Sequence, residues 1–121
     1  MRYGFEVWDV VWVRTFPNQE NPKESTDRPG IIIEDLEDEV LICPITTQLH
    51  QASHYKYVVN VDGSTIEAYE MGLKTSIVIL DRTVYLKKIR LSPVKAGHCP
   101  DTIIKKIEEL LEQKQKEEAG H

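Results

Sequence analysis

Short apolar runs separated by polar turns make up most of the chain ahead of its C-terminal part. The run at residues 7–13 is rich in β-branched and aromatic side chains, and its one charged residue is Asp9, a pattern typical of a buried strand. Two more apolar runs, at residues 31–33 and 40–43, flank a segment of six residues that contains five acids. We interpret these two runs as a β-hairpin whose acidic turn is exposed to solvent.

Three further runs, at residues 57–61, 76–80 and 83–86, predict strands, so at least six strands would precede any helix. Residues 101–116 differ, because their apolar residues recur at helical spacing behind the start signal Pro100-Asp101-Thr102. We expect this amphipathic helix to pack on the sheet through Ile103, Ile104, Ile107, Leu110 and Leu111.

Many short strands followed by one helix predict a mainly β fold, a small and partly open antiparallel barrel or sandwich capped by a C-terminal helix. A chain of 121 residues is sized for one core, and we predict a single domain over residues 1–118 with a flexible tail at 119–121. Residues 14–30 are polar, contain three prolines and lack a hydrophobic period, so we predict a long functional loop there.

The charge balance is acidic, with 15 Lys and Arg against 20 Asp and Glu and a net charge of -5. This argues against a protein that coats nucleic acid without sequence preference, because such binding comes mainly from cations that neutralise phosphates. Between Lys74 and Lys95, however, six basic residues stand against one acid. The surplus would suit a phosphate-binding groove, but lysines on solvent-facing strand positions give the same pattern, and charge alone favours this second interpretation.

Cys43 and Cys99 are too few and too far apart for a disulfide framework or a cysteine-based zinc site. No apolar run approaches the roughly 20 residues that span a bilayer, and Glu6 and Asp9 fall where a secretory signal would be uninterrupted. We therefore expect reduced thiols and a cytoplasmic protein that does not bind membranes.

His50 and His54 have helix-type spacing, but neither a third ligand nor a general-base glutamate accompanies them. The sequence also lacks a glycine-rich phosphate loop and the Gly-x-Ser-x-Gly turn of serine hydrolases. We therefore predict no metal site and no cofactor.

Arg28 and Thr46 are the most informative candidates for chemistry. Arg28 ends the long loop directly before a predicted strand, and Thr46 follows the next strand, so a hairpin would bring both out at one edge. Arginine binds phosphate through two hydrogen bonds and stays charged, and a threonine hydroxyl can bind another phosphate oxygen, so the pair suits RNA cleavage. Spacing alone favours a simpler interpretation, in which Arg28-Pro29 is a loop exit and Thr46-Thr47 caps a strand.

Several segments occur in a distinctive order: Asp9-Val10-Val11-Trp12-Val13, Arg28-Pro29 before Ile31-Ile32-Ile33, Cys43-Pro44-Ile45-Thr46-Thr47-Gln48, Leu73 with Ser76-Ile77-Val78-Ile79-Leu80-Asp81, and Lys88-Ile89-Arg90-Leu91. With the polar loop and the C-terminal helix, this order resembles the MazF/PemK family of bacterial toxin endoribonucleases over nearly the whole chain. That family usually carries glycine directly before the acid of the first strand, where this chain has Trp8.

The resemblance implies a small SH3-like antiparallel barrel of the CcdB/Kid/MazF kind that forms a homodimer. It also implies the toxin of a type II toxin-antitoxin system, which cleaves single-stranded RNA, including mRNA, at short sequences without a metal. In such enzymes the ribose 2′-hydroxyl attacks the adjacent phosphate and leaves a 2′,3′-cyclic phosphate and a 5′-hydroxyl. The second implied partner is a cognate antitoxin protein whose acidic, partly disordered tail covers the RNA groove and folds on binding.

By position, the resemblance assigns catalysis to Arg28, which would stabilise the pentavalent phosphate, and to Thr46, which would hold a phosphate oxygen. Thr47 and Asp81 are further catalytic candidates, Asp81 in an acid-base role for which a structural role in closing a turn is an equal alternative. The residues expected to bind RNA are Lys23, Gln48, Arg82, Lys87 and Lys88.

Two hypotheses follow. In the first, the protein is an endoribonuclease, and replacing Arg28 abolishes toxicity without unfolding the chain. In the second, the same barrel is a noncatalytic binding module that blocks a protein target, as the related gyrase poisons do, or binds RNA without cleavage. Growth arrest with intact RNA would favour the second hypothesis.

Overall fold

The computed structural model describes residues 4–14 and 27–120. Residues 15–26, which include Lys23 and most of the predicted loop at 14–30, lie outside this part of the chain, as does His121. The strands are β1 (Asp9–Arg14), β2 (Asp27–Asp35), β3 (Glu39–Thr46), β4 (Val58–Val61), β5 (Ser76–Ile79), β6 (Val84–Lys87) and β7 (Gly97–His98). The helices are α1 (Ile66–Met71), α2 (Asp101–Ala119) and short 3-10 segments at Leu49–His54, Leu80–Arg82 and Lys88–Arg90.

The described strands form one strongly bent antiparallel sheet in the order β4–β5–β3–β2–β1–β7. Strand β3 carries the bend: its first half pairs with β6, whereas Ile45 and Thr46 at its end pair with Val78 and Ile77 of β5. The result is an antiparallel half-barrel with a C-terminal helix, which confirms the predicted fold class. The predicted hairpin is β2–β3, and its acidic turn is exposed as expected.

Both faces of the sheet are buried, because alternating residues of the same strand enter two different apolar clusters. Val10 and Ile31 lie in the larger cluster, beneath the helices, whereas Val11 and Ile32 lie in a smaller cluster on the other face. All four side chains are fully buried. This explains why the strands read as continuous apolar runs rather than as an alternation of apolar and polar residues.

Helix α2 covers the larger cluster. Ile103 and Ile107 are buried there, and Ile104, Leu110 and Leu111 pack against it while partly exposed. The predicted apolar stripe therefore faces the sheet. The helix ends at Ala119, three residues beyond the predicted end at 116, so the first residue of the predicted flexible tail is helical.

The prediction that six strands precede any helix is wrong, because the 3-10 segment Leu49–His54 and helix α1 lie between β3 and β5. Helix α1 has six residues, too few for a clear period, but both ends carry ordinary signals. Thr65 accepts a hydrogen bond from the Ala68 N–H at 3.3 Å, and Gly72 ends the helix with a φ of 69°. A Cβ at Gly72 would lie 2.1 Å from the carbonyl oxygen of Ala96.

Strand β1 begins at Asp9 rather than at residue 7, because Trp8 has a φ of 75° and breaks the extended backbone. The backbone still passes through this residue in fixed geometry, since the Trp8 N–H donates to the Ile32 oxygen at 2.7 Å and its carbonyl accepts from Cys99 at 2.8 Å. A left-handed conformation costs a residue with a Cβ roughly 1–2 kcal/mol. The left-handed backbone of Trp8 also explains why glycine suits this position, since glycine adopts this conformation without that cost.

Candidate active-site cleft

An open cleft of about 580 Å³ lies where the ends of β1, β2 and β3 meet the 3-10 segment and the chain leaving α1. It is lined by Trp12, Arg28, Pro29, Ile45, Thr46, Thr47, Gln48, Gln51, Gly72, Leu73, Lys74 and Ser76. Four of the residues singled out from the sequence, Arg28, Thr46, Thr47 and Gln48, thus line one cleft.

The register of the β2–β3 hairpin places Arg28 near Thr46. Gly30 pairs with Pro44, and both Arg28, two residues before Gly30, and Thr46, two residues after Pro44, line the cleft. Gly30 is required there, because a Cβ on it would lie 2.4 Å from the Cγ2 of Ile42. The close approach of β2 and β3 therefore fixes the strand ends that carry both side chains.

The Thr46 hydroxyl is oriented by the chain that follows it. Its Oγ1 accepts a hydrogen bond from the backbone N–H of Gln48 at 3.1 Å. A hydroxyl has one proton to donate and two lone pairs, so this contact leaves the proton available for a ligand. An anionic phosphate oxygen is the acceptor that such a group fits.

Two cations face the same cleft. Arg28 and Lys74 both line it and are exposed, and neither forms an ion pair with another residue of ranges 4–14 and 27–120. The backbone at Lys74 is held by the buried Ser76, whose hydroxyl donates to the Lys74 carbonyl at 2.6 Å. The cleft thus presents positive charge that no described carboxylate neutralises, within an acidic protein.

Asp81 lies in the 3-10 segment after β5, and the cleft lining does not include it. Its carboxylate accepts hydrogen bonds from the backbone N–H groups of Tyr57 at 2.8 Å and Lys56 at 3.0 Å. The neighbouring Arg82 guanidinium sits 5.5 Å from the centre of the Tyr55 ring. Asp81 therefore ties the residues directly before β4 to the end of β5 through long-range hydrogen bonds, rather than closing a local turn.

Lys87 and Lys88 lie at the other end of the hairpin, against the acidic turn. The Lys87 ammonium contacts Asp38 and Glu39, each at 3.2 Å, and these contacts raise the pKa of Lys87. The buried Lys88 contacts Asp35 at 2.7 Å and donates to the Glu37 carbonyl at 3.1 Å. The cleft lining does not include either lysine.

Among the described residues, the cleft lining contains no cysteine or histidine. Burial raises the pKa of the free thiols of Cys43 and Cys99 to about 12, which disfavours the nucleophilic thiolate. His50 and His54 are exposed on the 3-10 segment after β3. Within the part of the chain that the structure describes, no group of three His, Cys, Asp or Glu residues could hold a metal ion.

The sequence analysis does not single out Trp12, Lys74 or Gln51 as a site residue, although all three line the cleft. Trp12 was assigned to a buried strand, and only its register shows that it faces the cleft. Lys74 was part of the basic surplus, but the sequence could not distinguish it from Lys87 and Lys88. Gln51 lies in a polar stretch without any motif, and no sequence signal pointed to it.

Comparisons with known proteins identify the fold and the family of this chain. A search of curated proteins found no match. Among solved structures, a crystal structure of MazE-MazF (Form-II) from Deinococcus radiodurans shares the fold, with a TM-score of 0.70, 16% sequence identity, and coverage of 95% of this chain and 98% of that chain. None of the described helices is both long and apolar enough to cross a membrane.

A family model described as a PemK-like, MazF-like toxin of type II toxin-antitoxin systems matches residues 6–114. This match spans every described strand and most of α2, and it includes all the residues that line the cleft. The chain therefore belongs to the PemK/MazF-like family of type II toxins.

Proposed function

We propose that this toxin is a metal-independent endoribonuclease that cleaves single-stranded RNA, including mRNA, at specific sequences. The observation that carries the proposal is the cleft that joins Arg28 with Thr46. Within the described residues Arg28 has no carboxylate partner, and the Thr46 hydroxyl has its proton free to donate. Two such groups can bind the negative charge that develops on a phosphodiester during attack.

The reaction needs no water and no redox partner. The ribose 2′-oxygen attacks the phosphorus and loses its proton, the bond from phosphorus to the 5′-oxygen breaks, and that oxygen gains a proton. The products are a 2′,3′-cyclic phosphate and a 5′-hydroxyl. The pentavalent state carries more negative charge on its oxygens than the diester does, so groups that bind this charge accelerate the step.

Arg28 supplies most of this stabilisation. A guanidinium can donate two parallel hydrogen bonds to phosphate oxygens and keeps its charge throughout the reaction. Thr46 donates its hydroxyl proton to another phosphate oxygen. That proton is available because the hydroxyl only accepts in its contact with the Gln48 N–H. Thr47 and Gln48 line the cleft beside it and contact the flanking RNA.

The acid-base role of Asp81 and RNA contacts by Arg82, Lys87 and Lys88 stay predictions from the resemblance. The proposal places no catalytic or binding step on these four residues, because they lie outside the cleft lining. The hydrogen bonds of Asp81 to Lys56 and Tyr57 support a structural role instead. Lys23 also stays a prediction, since it lies outside the described residues.

The proposed protein partner is a cognate antitoxin with an acidic segment that covers the cleft and competes with RNA for its cations. Support comes from the family and from the cleft charge, because an acidic segment would be repelled by most of the surface but attracted to Arg28 and Lys74. We also propose that the toxin acts as a cytoplasmic homodimer, as its resemblance to the family implies.

The test is to incubate the purified protein with a long single-stranded RNA in excess EDTA and to map the cut positions and the chemistry of the ends. Arg28→Ala is the catalytic variant. Lys87→Ala is the matched control, because it also removes one exposed cation but lies outside the cleft.

We expect discrete cuts with cyclic-phosphate ends from the wild type and from Lys87→Ala, and none from Arg28→Ala. Intact RNA with the wild-type protein at high concentration would reject catalysis. If expression then still arrested growth, the noncatalytic binding module would replace the proposal.

A further inference from the structure

Trp12 lies near the end of β1 and lines the cleft. It pairs with Pro29, and it lies on the same face of the sheet as Val10, two residues earlier. Val10 is fully buried among core residues, whereas Trp12, two residues nearer the end of the strand, is partly exposed and lines the cleft. A large aromatic side chain thus forms part of the wall of a cleft that also holds Arg28.

The cleft divides by chemistry into three parts. Trp12 and Leu73 give it an apolar side, Arg28 and Lys74 supply positive charge, and Gln48 with Gln51 supplies neutral amides. A ribonucleotide divides in the same way, into an apolar base face, an anionic phosphate and a base edge that carries hydrogen-bonding groups. An anion alone would use the two cations but would leave the aromatic and amide groups without a function.

The two glutamines are held in a fixed arrangement. The Gln51 side-chain amide donates to the Gln48 Oε1, and the Gln51 backbone N–H donates to the Gln48 carbonyl at 3.0 Å. Gln48 is anchored in turn by the bond from its own N–H to Thr46. Within residues 4–14 and 27–120, no hydrogen bond occupies the Gln48 NH₂ group or the Gln51 side-chain oxygen, so both are preoriented for the edge of a base.

We propose that Trp12 is a base-stacking platform, on which a nucleobase next to the phosphate held by Arg28 stacks while Gln48 and Gln51 contact its edge. The inference rests on the proposed ribonuclease function and names the subsite that gives the cleft its preference for single-stranded RNA. A base can stack on a side chain in this way only when it is not paired with another base, as in single-stranded RNA. Trp12 is thus a specificity-determining residue, distinct from the catalytic Arg28 and Thr46.

Binding is measured with a single-stranded RNA that carries 2′-fluoro groups at every position, because it lacks the attacking hydroxyl and stays intact. Trp12→Phe keeps an aromatic face, and Trp12→Leu keeps apolar bulk without one. We expect Trp12→Leu to bind this RNA about 5- to 150-fold more weakly than wild type, with Trp12→Phe between the two. Circular dichroism and thermal unfolding identify any variant that fails to fold.

Tryptophan fluorescence gives a second readout that requires no change at the subsite. The other tryptophan, Trp8, lines a different groove beside α2, so a Trp8→Phe protein reports on Trp12 alone. We expect the fluorinated RNA to quench this emission in a saturable way, and an abasic oligonucleotide of equal length, which keeps the phosphates, to quench it much less.

The outcomes separate the two proposals. If wild type cleaves RNA but Trp12→Leu binds and cuts as wild type does, and neither oligonucleotide quenches Trp12, the stacking platform is rejected and the ribonuclease stands. If wild type binds the fluorinated RNA with Trp12 quenching but cleaves no RNA, the platform is supported and catalysis is rejected. Equal quenching by the abasic oligonucleotide also overturns stacking.

Discussion

Basic residues lie near both ends of the β2–β3 hairpin, but the two ends differ in whether those residues are paired with acids. At the open end, Arg28 and Lys74 face the cleft, and within the described chain no carboxylate pairs with them. At the turn end, Lys87 and Lys88 are neutralised by the acids of the turn. All four residues contribute one positive charge to the net charge. Arg28 and Lys74 can bind a phosphate directly, whereas Lys87 and Lys88 would first have to break their contacts with carboxylates.

This difference shows what the five acids of the turn do. The sequence alone assigns them to a solvated turn, but three of them hold the two lysines in place. The acidic turn therefore anchors β6 and the segment after it to the hairpin. Cations at that end stabilise the fold, and cations at the cleft are free for binding.

The first prediction concerns the shape of the Arg28 side chain at the cleft. Arg28→Lys keeps the charge but loses the two-pronged geometry that fits a phosphate, so we expect cleavage to fall about 10²- to 10³-fold. The melting temperature should stay close to that of wild type, because the residue is exposed. Initial cleavage rates and thermal unfolding measure both effects.

Arg82→Lys is the matched control for this prediction, since it makes the same chemical change at a residue that lies over Tyr55 rather than in the cleft lining. We expect its cleavage rate to stay within about twofold of wild type, as for a surface change of roughly 0.4 kcal/mol. Equal losses in the two variants would show that the cleft does not distinguish Arg28 from other arginines.

The turn end gives the second prediction, which concerns stability. The Lys88 side chain is 8% exposed and its partner Asp35 is 37% exposed, so the pair lies between a buried and a surface ion pair. We expect Lys88→Ala to lower the free energy of unfolding by about 1–2 kcal/mol, because the Glu37 carbonyl and Asp35 both lose a partner. Urea unfolding measures this change, and Lys87→Ala should lower the free energy of unfolding by much less, because its ion pairs are exposed to solvent.

Cleavage by folded Lys88→Ala should match that of wild type. A variant of Lys88 that kept full stability but lost RNA cleavage would restore the RNA-binding role that the resemblance suggested. It would also remove the distinction between the two ends of the hairpin.

The third prediction concerns how the affinity for RNA depends on salt concentration. Each phosphate contact with single-stranded nucleic acid contributes about 0.7 to the slope of log affinity against log salt concentration. Lys74→Ala should reduce this slope by about that amount for the noncleavable RNA, while Lys87→Ala should leave it unchanged. An equal reduction in both variants would mean that RNA extends across the turn end as well.

Much of this architecture was predictable from the sequence. The hairpin and the C-terminal helix followed from apolar runs and their period, and the position of Arg28 and Thr46 at one edge followed from hairpin register. These features depend on residues that are close in sequence, so local patterns carry them.

The remaining features depend on contacts between distant segments. Helix α1 has six residues, too few for a hydrophobic period, and the approach of the distant Ala96 carbonyl leaves no room for a side chain at Gly72. The free or paired state of each basic residue depends on which acids the fold brings near it. Asp81 illustrates this, because its partners Lys56 and Tyr57 are 25 and 24 residues away.

The last prediction concerns a charge on α2 that holds the structure together rather than binding a ligand. Glu117 of this helix contacts Lys56 and accepts a hydrogen bond from the Tyr57 hydroxyl. The contact with Lys56, followed by the Tyr57 bond, lowers the pKa of Glu117 to about 2, from an ordinary value of 4.5. A carboxylate with a lowered pKa adds stability above its unfolded pKa, and this is lost as pH falls through the folded value. The Glu117 contribution should therefore be present at neutral pH and decline between about pH 4.5 and pH 2.

Glu117→Gln should accordingly melt slightly below wild type at pH 7, by less than Lys88→Ala does, and the two melting curves should converge near pH 2. Glu112→Gln is the control on the same helix, because Glu112 contacts Lys116, one turn along the same helix, instead of the sheet. RNA cleavage at pH 7 should be the same in all three proteins, since this ion pair lies outside the cleft lining. A melting difference that persisted unchanged to pH 2 would show that Glu117 stabilises α2 by packing, and that charge does not hold this helix to the sheet.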